Sequence, residues 1–389
     1  MRKLFCGDLS GGLYPLLGTR CEHDATTWFP KERVYYVHRG RTAIRRACEL
    51  LHLGPETEVL APAYNCGAEI APLLSRGVSV VLYQTKRSGH IDLDDLRNRI
   101  TKKTRVIYVT HYFGFPQPIA DIKRFCEGKS IYLIEDCALA LFSCDGSTEL
   151  GSTGDISIFS FPKSLPVPDG GALVINSTDL AKNDWELHRA PFSLVAKETL
   201  SLLKRNSLRS ASGTRLFPLF WPLLERYQAY TRYMEPPHQA LPPDMPKSFY
   251  YDEDFTDKAI SRLTKRLLKT FDITTIVTKR RNNFTLLLNM LAEAKGIEPL
   301  FKTLPEGVCP LYFPVIVKNR VYLYRKLNEL SIAAIEWWAG YHPALPWDEF
   351  PDACFLKDHI LALPVHQQLN LEHITFIARK FIDVCNKLY

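Results

Sequence analysis

The chain has 389 residues, a formal net charge of +7, 46% hydrophobic and 23% charged residues. That length suffices for two lobes with sizeable cores, and the composition is that of an ordinary globular protein. No run of 18 apolar residues and no block of like charge occurs, so neither a membrane span nor a nucleic-acid partner is expected.

The ten cysteines form no CxxC pair and no zinc-finger spacing, which predicts no metal and reduced thiols in a cytoplasmic setting. The opening segment Met1–Asp8 breaks its apolar stretch after three residues, too early for a signal peptide.

Residues 1–37 read as an N-terminal arm. From 41 to 176 helical and strand patterns alternate. Ala43, Ile44, Ala47, Leu50 and Leu51 mark one helical face, which Gly54-Pro55 ends. Apolar runs at 58–61, 78–83, 105–109, 131–135, 156–161 and 172–175 predict strands. Asp92 is placed to cap a helix near 93–101, and another is expected over 119–127. Strands separated by helices of this length imply crossovers and a mostly parallel sheet, with ligands bound beyond the carboxyl ends of its strands. Residues 179–250 read as a helical insertion and 253–296 as two long helices. Leu311–Val317 predicts a strand of a smaller α+β lobe. Ile374, Ile377, Ala378, Phe381, Cys385 and Leu388 give the last helix one apolar face. The resulting division is a large lobe over 38–270 and a small one over 271–389.

Two residues carry the chemistry. Asp136 ends the apolar run Ile131–Asp136, and Lys163 follows 27 residues later in Phe159-Ser160-Phe161-Pro162-Lys163. A carboxylate and a desolvated lysine at the ends of buried strands are what pyridoxal 5'-phosphate (PLP) needs: a partner for its ring nitrogen and an amine for its aldehyde. Ser160 offers a hydroxyl to a phosphate, and Asp169-Gly170-Gly171 a tight turn for close backbone approach. Gly40, Arg41 and Thr42 open the first helix, where free N–H groups and the dipole favour an anion.

The ordered motifs are Gly40-Arg41-Thr42-Ala43, Val59–Cys66, His111-Tyr112-Phe113-Gly114, Glu135-Asp136-Cys137-Ala138, Gly151–Asp155 and Ser160-Phe161-Pro162-Lys163 with Gly170-Gly171. Together they resemble the DegT/DnrJ/StrS-type sugar aminotransferases. The resemblance is dense over 38–176 and fainter in Ser261–Arg281 and Ile360–His366. It implies an α/β, aspartate-aminotransferase-like fold of type I and a homodimer with shared sites. It also implies a PLP-dependent transfer of nitrogen from an amino acid, glutamate by resemblance, to a keto-sugar carried on a nucleotide. Such reactions serve cell-surface polysaccharide or secondary-metabolite biosynthesis.

By that resemblance Lys163 is the lysine that holds PLP and Asp136 the partner of its ring nitrogen. Ser160, Gly40 and Thr42 match phosphate-binding positions. Cys66 stands where the family often has a ring-stacking aromatic residue, so Tyr64 is expected to share that role. Asn65, His111 or another group is the candidate for the cofactor's phenolic oxygen, because Leu139 replaces the family's Gln or His there. Arg39 or Arg41 is a candidate for the donor's carboxylate, and His342 for a loop closing over substrate.

No clear match exists for the family's Asn-Tyr-Arg segment, expected near Phe249–Asp252. That gap, with the apolar insertion, leaves open PLP chemistry on an amino acid or lipid-linked substrate, and Leu139 and Cys66 leave open a non-catalytic binder. The stretch 197–232 carries a net charge of +5 beside the apolar Leu216–Leu224. It reads as a helical excursion packed on its own lobe or at the dimer interface, with peripheral contact to an anionic membrane as the alternative.

Overall fold

The computed structural model describes residues 6, 20–180, 184–209 (backbone only for 204–209), 251–292, 294, 296–338, 340 and 342–388. Strand β1 (Val34–Val37) leads into helix α1 (Gly40–Leu50), whose buried Ala43, Ile44, Ala47 and Leu50 are the face expected from the spacing. Four strands separated by three helices follow: β2 (Glu58–Pro62), α2 (Ala71–Leu74), β3 (Ser79–Tyr83), α3 (Leu93–Asn98), β4 (Thr104–Thr110), α4 (Ile119–Cys126) and β5 (Tyr132–Asp136). Asp92 caps α3 by accepting from the N–H groups of Asp94 and Asp95, as its position before an apolar-periodic segment predicts.

A short hairpin, β6 (Cys144–Asp145) and β7 (Thr148–Glu149), precedes β8 (Ile156–Ser160). A single helical turn, α5 (Phe161–Ser164), and β9 (Gly171–Ile175) complete this run. Next come β10 (His188–Arg189), α6 (Phe192–Arg209), β11 (Lys258–Ala259), α7 (Arg262–Leu268) and α8 (Ile273–Leu291).

The main sheet has nine strands in the order β10-β11-β1-β9-β8-β5-β4-β2-β3. The stretch β8-β5-β4-β2-β3 is wholly parallel, and β9 and β1 join antiparallel. Period-two alternation divides the parallel strands between two cores. Val59, Ala61, Val106, Tyr108 and Ile134 face the larger one, while Leu60, Ile107, Val109 and Leu133 pack with Leu96 of α3 and Ile119 and Ile122 of α4. Both faces are covered, which is why these strands read as continuous apolar runs.

Residues beyond α8 build a second, antiparallel sheet. Its strands are β12 (Glu298–Pro299), β13 (Tyr312–Ile316), β14 (Ile335–Glu336) and β15 (Ile360–Pro364), in the order β12-β13-β15-β14. Helices α9 (Arg320–Glu329), α10 (Pro351–His359) and α11 (Leu371–Cys385) accompany it, and α11 buries Ile374, Ile377, Ala378, Phe381 and Cys385. The basic and apolar stretch expected over 197–232 lies largely outside the described residues; its first part is α6. Phe249 and Tyr250 of the segment expected to replace Asn-Tyr-Arg also lie outside them.

Arg280 of α8 ties three parts of the chain together. Completely buried, it donates to the carbonyls of Ser164, Pro310 and Leu311 and to Gln367 Oε1, at 2.8–3.0 Å. Replacing it with alanine strands those acceptors, each at a cost of about 1–3 kcal/mol. Arg280→Ala is therefore expected to lower the unfolding free energy by about 3 kcal/mol or more, read as a drop in urea midpoint at unchanged slope.

Candidate active site

A cavity of about 650 Å³ opens where the carboxyl ends of β5 and β8 meet the N-terminus of α1. Asp136 is the last residue of β5, and Lys163 stands on α5 directly after β8, the parallel neighbour of β5. Adjacent parallel strands end on the same side of a sheet, so 27 residues of chain return the lysine to the aspartate. Both line the cavity, together with Arg39, Gly40, Arg41, Cys66 and Ser160.

Asp136 is a buried carboxylate held from two sides. Tyr108 donates its hydroxyl to Oδ2 at 2.8 Å, and the Ala138 N–H donates to Oδ1 at 2.9 Å. Burial pushes its carboxyl above the usual carboxylate range, while the Lys163 charge pulls the other way. Lys163 itself is exposed and lines the cavity, so the desolvated lysine expected from sequence is not found.

The anion-binding end is built from backbone. Arg39, the residue before α1, makes no side-chain capping bond, so the first N–H groups of the helix are not taken by a cap. A methyl group on Gly40 would meet Ser160 Cβ at 3.4 Å, and one on Gly171 would press on the Phe159 carbonyl at 2.6 Å and the Gly40 nitrogen at 2.9 Å. These glycines let three strand ends converge. Gly170 supplies the turn with φ +116 and donates to the His38 carbonyl at 2.6 Å.

Other expected residues are placed elsewhere. The Thr42 hydroxyl donates to the Phe255 carbonyl at 3.0 Å; among the opening residues of α1, Gly40 and Arg41 line the cavity instead. Tyr64 is fully buried behind the cavity, its ring 5.2 Å from Tyr112 and 5.1 Å from Trp338. His111 is buried with its Nε2 3.1 Å from Glu135 and its Nδ1 accepting from the Gln117 N–H. His342 accepts from the Ala344 N–H and does not line the cavity. For Thr42, His111 and His342 a nearer backbone or carboxylate partner has claimed the polar atom, whereas the Tyr64 hydroxyl is buried with no hydrogen-bond partner among the described residues.

Three residues come to light only in the fold. Glu69 lines the cavity and accepts from both the backbone N–H and the thiol of Cys66, at 3.1 and 2.7 Å. Burial, reinforced by Glu69, pushes the Cys66 thiol well above its usual range, so it stays protonated. Tyr108 presents its hydroxyl to Asp136, and Glu198 reaches in from α6. Trp337 and Trp338 of the small sheet's loop close one wall, with Trp338 in left-handed backbone (φ 51). Buried Lys357 of α10 donates to the carbonyls of Trp338 and Asn65, fixing that wall to the loop that carries Cys66.

Because its Cβ would displace the Gly40 nitrogen and the Phe159 carbonyl, Gly171→Ala is expected to weaken binding of a phosphate-bearing ligand at least about tenfold, or 1.4 kcal/mol. Titration calorimetry with PLP measures this.

Residues 20–201 match the DegT/DnrJ/EryC1/StrS aminotransferase family. Over 153 residues the chain is 32% identical to a dTDP-4-dehydro-2,3,6-trideoxy-D-glucose 4-aminotransferase of Saccharopolyspora spinosa, covering 39% of this chain and 40% of that protein. Over 144 residues it is 29% identical to a GDP-perosamine synthase of Vibrio cholerae, covering 36% and 39% respectively. The match thus spans about two fifths of these relatives' length. The fold is that of a solved aminotransferase from Streptoalloteichus hindustanus, with a TM-score of 0.67, 18% identity and full coverage of both chains. The matched residues 20–201 hold Gly40, Asp136, Ser160 and Lys163.

Proposed function

We propose that this chain, a member of the DegT/DnrJ/EryC1/StrS aminotransferase family over residues 20–201, is a PLP-dependent aminotransferase that passes nitrogen from an amino acid to a keto-sugar. The observation that carries the reading is the convergence of Lys163, Asp136 and the uncapped start of α1 on one cavity.

The cavity suits PLP in three respects. Gly40 and Gly171 keep the anion end clear of side-chain atoms, as a phosphate cradle requires. Asp136 is buried with its hydrogen bonds fixed, and an opposing pyridinium N–H would offset the cost of that burial. Lys163 faces the cavity from the neighbouring strand end.

When bound, PLP supplies an electron sink that lets nitrogen leave one carbon skeleton and join another. The residues of the chain do the rest. Gly40, Arg41 and Ser160 would hold the phosphate. Tyr108 and the Ala138 N–H orient the Asp136 carboxylate, which would face the ring nitrogen. Lys163 would supply the amine for the cofactor's aldehyde and the base that takes the proton from the substrate α-carbon. Trp337 and Trp338 restrict water on one side. Cys66, lying where a stacking ring would be expected, contacts this region with a protonated thiol.

The acceptor class follows the relatives, whose names specify dTDP- and GDP-linked sugars, and the donor is read as glutamate. We assign the cofactor to a large lobe over 38–270 and substrate closure to a small lobe over 271–389. A homodimer in the cytoplasm is the expected form; among the described residues, no helix is long and apolar enough to cross a membrane.

The test is the visible absorbance of protein mixed with PLP, compared with Lys163→Ala, before and after glutamate. Wild type is expected to show a band that the variant lacks and that glutamate bleaches, and Lys163→Ala to lose about 10²–10⁴-fold in transamination rate. A spectrum identical in the two proteins overturns the reading.

A further inference from the structure

Arg39 lines the cavity and is 37% exposed, yet its guanidinium is already engaged. Nη2 donates to Oε1 of Glu198, a residue of α6 that is only 14% exposed. A carboxylate meeting the edge of a guanidinium takes two parallel bonds where geometry permits. Here the pair is half made. Arg39 Nε and Glu198 Oε2 are both buried without a hydrogen-bond partner among the described residues.

Oε2 faces His38 Nε2 at 3.8 Å, beyond hydrogen-bond reach. His38 Nδ1 lies 3.1 Å from Asp169 Oδ2, and since a carboxylate only accepts, that nitrogen carries the proton. His38 Nε2 and Glu198 Oε2 thus face each other with no hydrogen bond between them.

The two sides of this contact are held differently. Asp169 accepts from His38, Thr264 and Ser261; burial works against its charge, but these bonds keep its carboxyl below the usual range. His38 is fully buried and stacks on Phe255 at 5.4 Å, and the Arg39 guanidinium lies 5.9 Å from the same ring. Glu198 instead arrives on a helix whose leading Phe192 is 87% exposed. Burial pushes its carboxyl up, and Arg39 only partly opposes this. The arginine side is fixed, and the carboxylate side is costly to bury and poorly bonded.

We propose that Glu198 is a built-in stand-in for a ligand carboxylate. It holds Arg39 while the site is free of donor. The donor's carboxylate displaces it, takes both Nη2 and Nε, and moves α6 off the cavity. The aminotransferase reading enters only in identifying the ligand as an amino acid. Its two-substrate logic gives the device a purpose. After the donor leaves as a keto acid, Glu198 returns to Arg39, so an uncharged sugar ring enters without meeting an unpaired guanidinium. A simple amine lacks the group that opens the latch, which confines donors to carboxylate-bearing amino acids.

Succinate, a dicarboxylate that cannot donate nitrogen, is the probe. Calorimetric titration of PLP-loaded protein is expected to give a Kd about tenfold lower for Glu198→Gln than for wild type, and no binding for Arg39→Ala. In wild type, saturating succinate is expected to speed backbone hydrogen exchange across residues 192–203. Unchanged or weaker succinate binding by Glu198→Gln overturns the proposal, as does retained binding by Arg39→Ala. If Glu198→Gln shows no cooperative melting transition, the wild-type exchange decides alone, and unchanged exchange overturns the proposal. Succinate binding does not depend on Lys163. Failure of the absorbance test with a tighter-binding Glu198→Gln thus sinks the enzymatic reading alone. Normal transamination with no succinate effect sinks only the latch.

Discussion

The site is organised around a carboxylate held inside the protein. Asp136 is buried, and burial pushes its carboxyl above the usual carboxylate range. Three groups work against that: the Tyr108 hydroxyl, the Ala138 N–H and the Lys163 charge across the cavity. Each comes from a different element: β4, the turn after β5 and the short helix α5. The parallel register that aligns Thr110 with Asp136 and Asp136 with Ile158 is thus also an electrostatic device.

The same accounting explains how charge is distributed around the cavity. Acidic groups with several donors, such as Asp169 and Glu135, stay low in pKa despite burial. Those with fewer, Asp136 and Glu198, are pushed up. Well-bonded carboxylates fix the frame: Asp169 ties the end of β1 to α7, and Glu135 ties β5 to the 151–154 loop through three backbone N–H groups. Poorly bonded ones face the cavity, where a ligand supplies the missing partner.

The small sheet contributes rigidity as well as a wall. Lys357 sends its buried ammonium to the carbonyls of Asn65 and Trp338, and Arg280 holds the carbonyl of Ser164, next to Lys163. Burying these cations is tolerable because each is surrounded by backbone acceptors. The position of Lys163 therefore rests on contacts made more than a hundred residues away in sequence.

Local pattern was enough to reveal the strands of the parallel sheet, the cap at Asp92, the apolar face of the last helix, and Lys163 and Asp136 as a pair. Those features depend on periodicity, on short-range hydrogen bonds and on the ends of strands, all of which are written in consecutive residues. Tertiary structure alone decided which polar atoms remain available. Thr42 and His111 look like ligands in sequence, but Phe255, Glu135 and Gln117 reach them first. Glu69, Tyr108 and Glu198 carry no motif; a loop and an inserted helix bring Glu69 and Glu198 into the cavity, and the neighbouring strand sets Tyr108 against Asp136 behind it. A hydrogen bond is settled by distance in space, and a single chain read in order does not contain that distance.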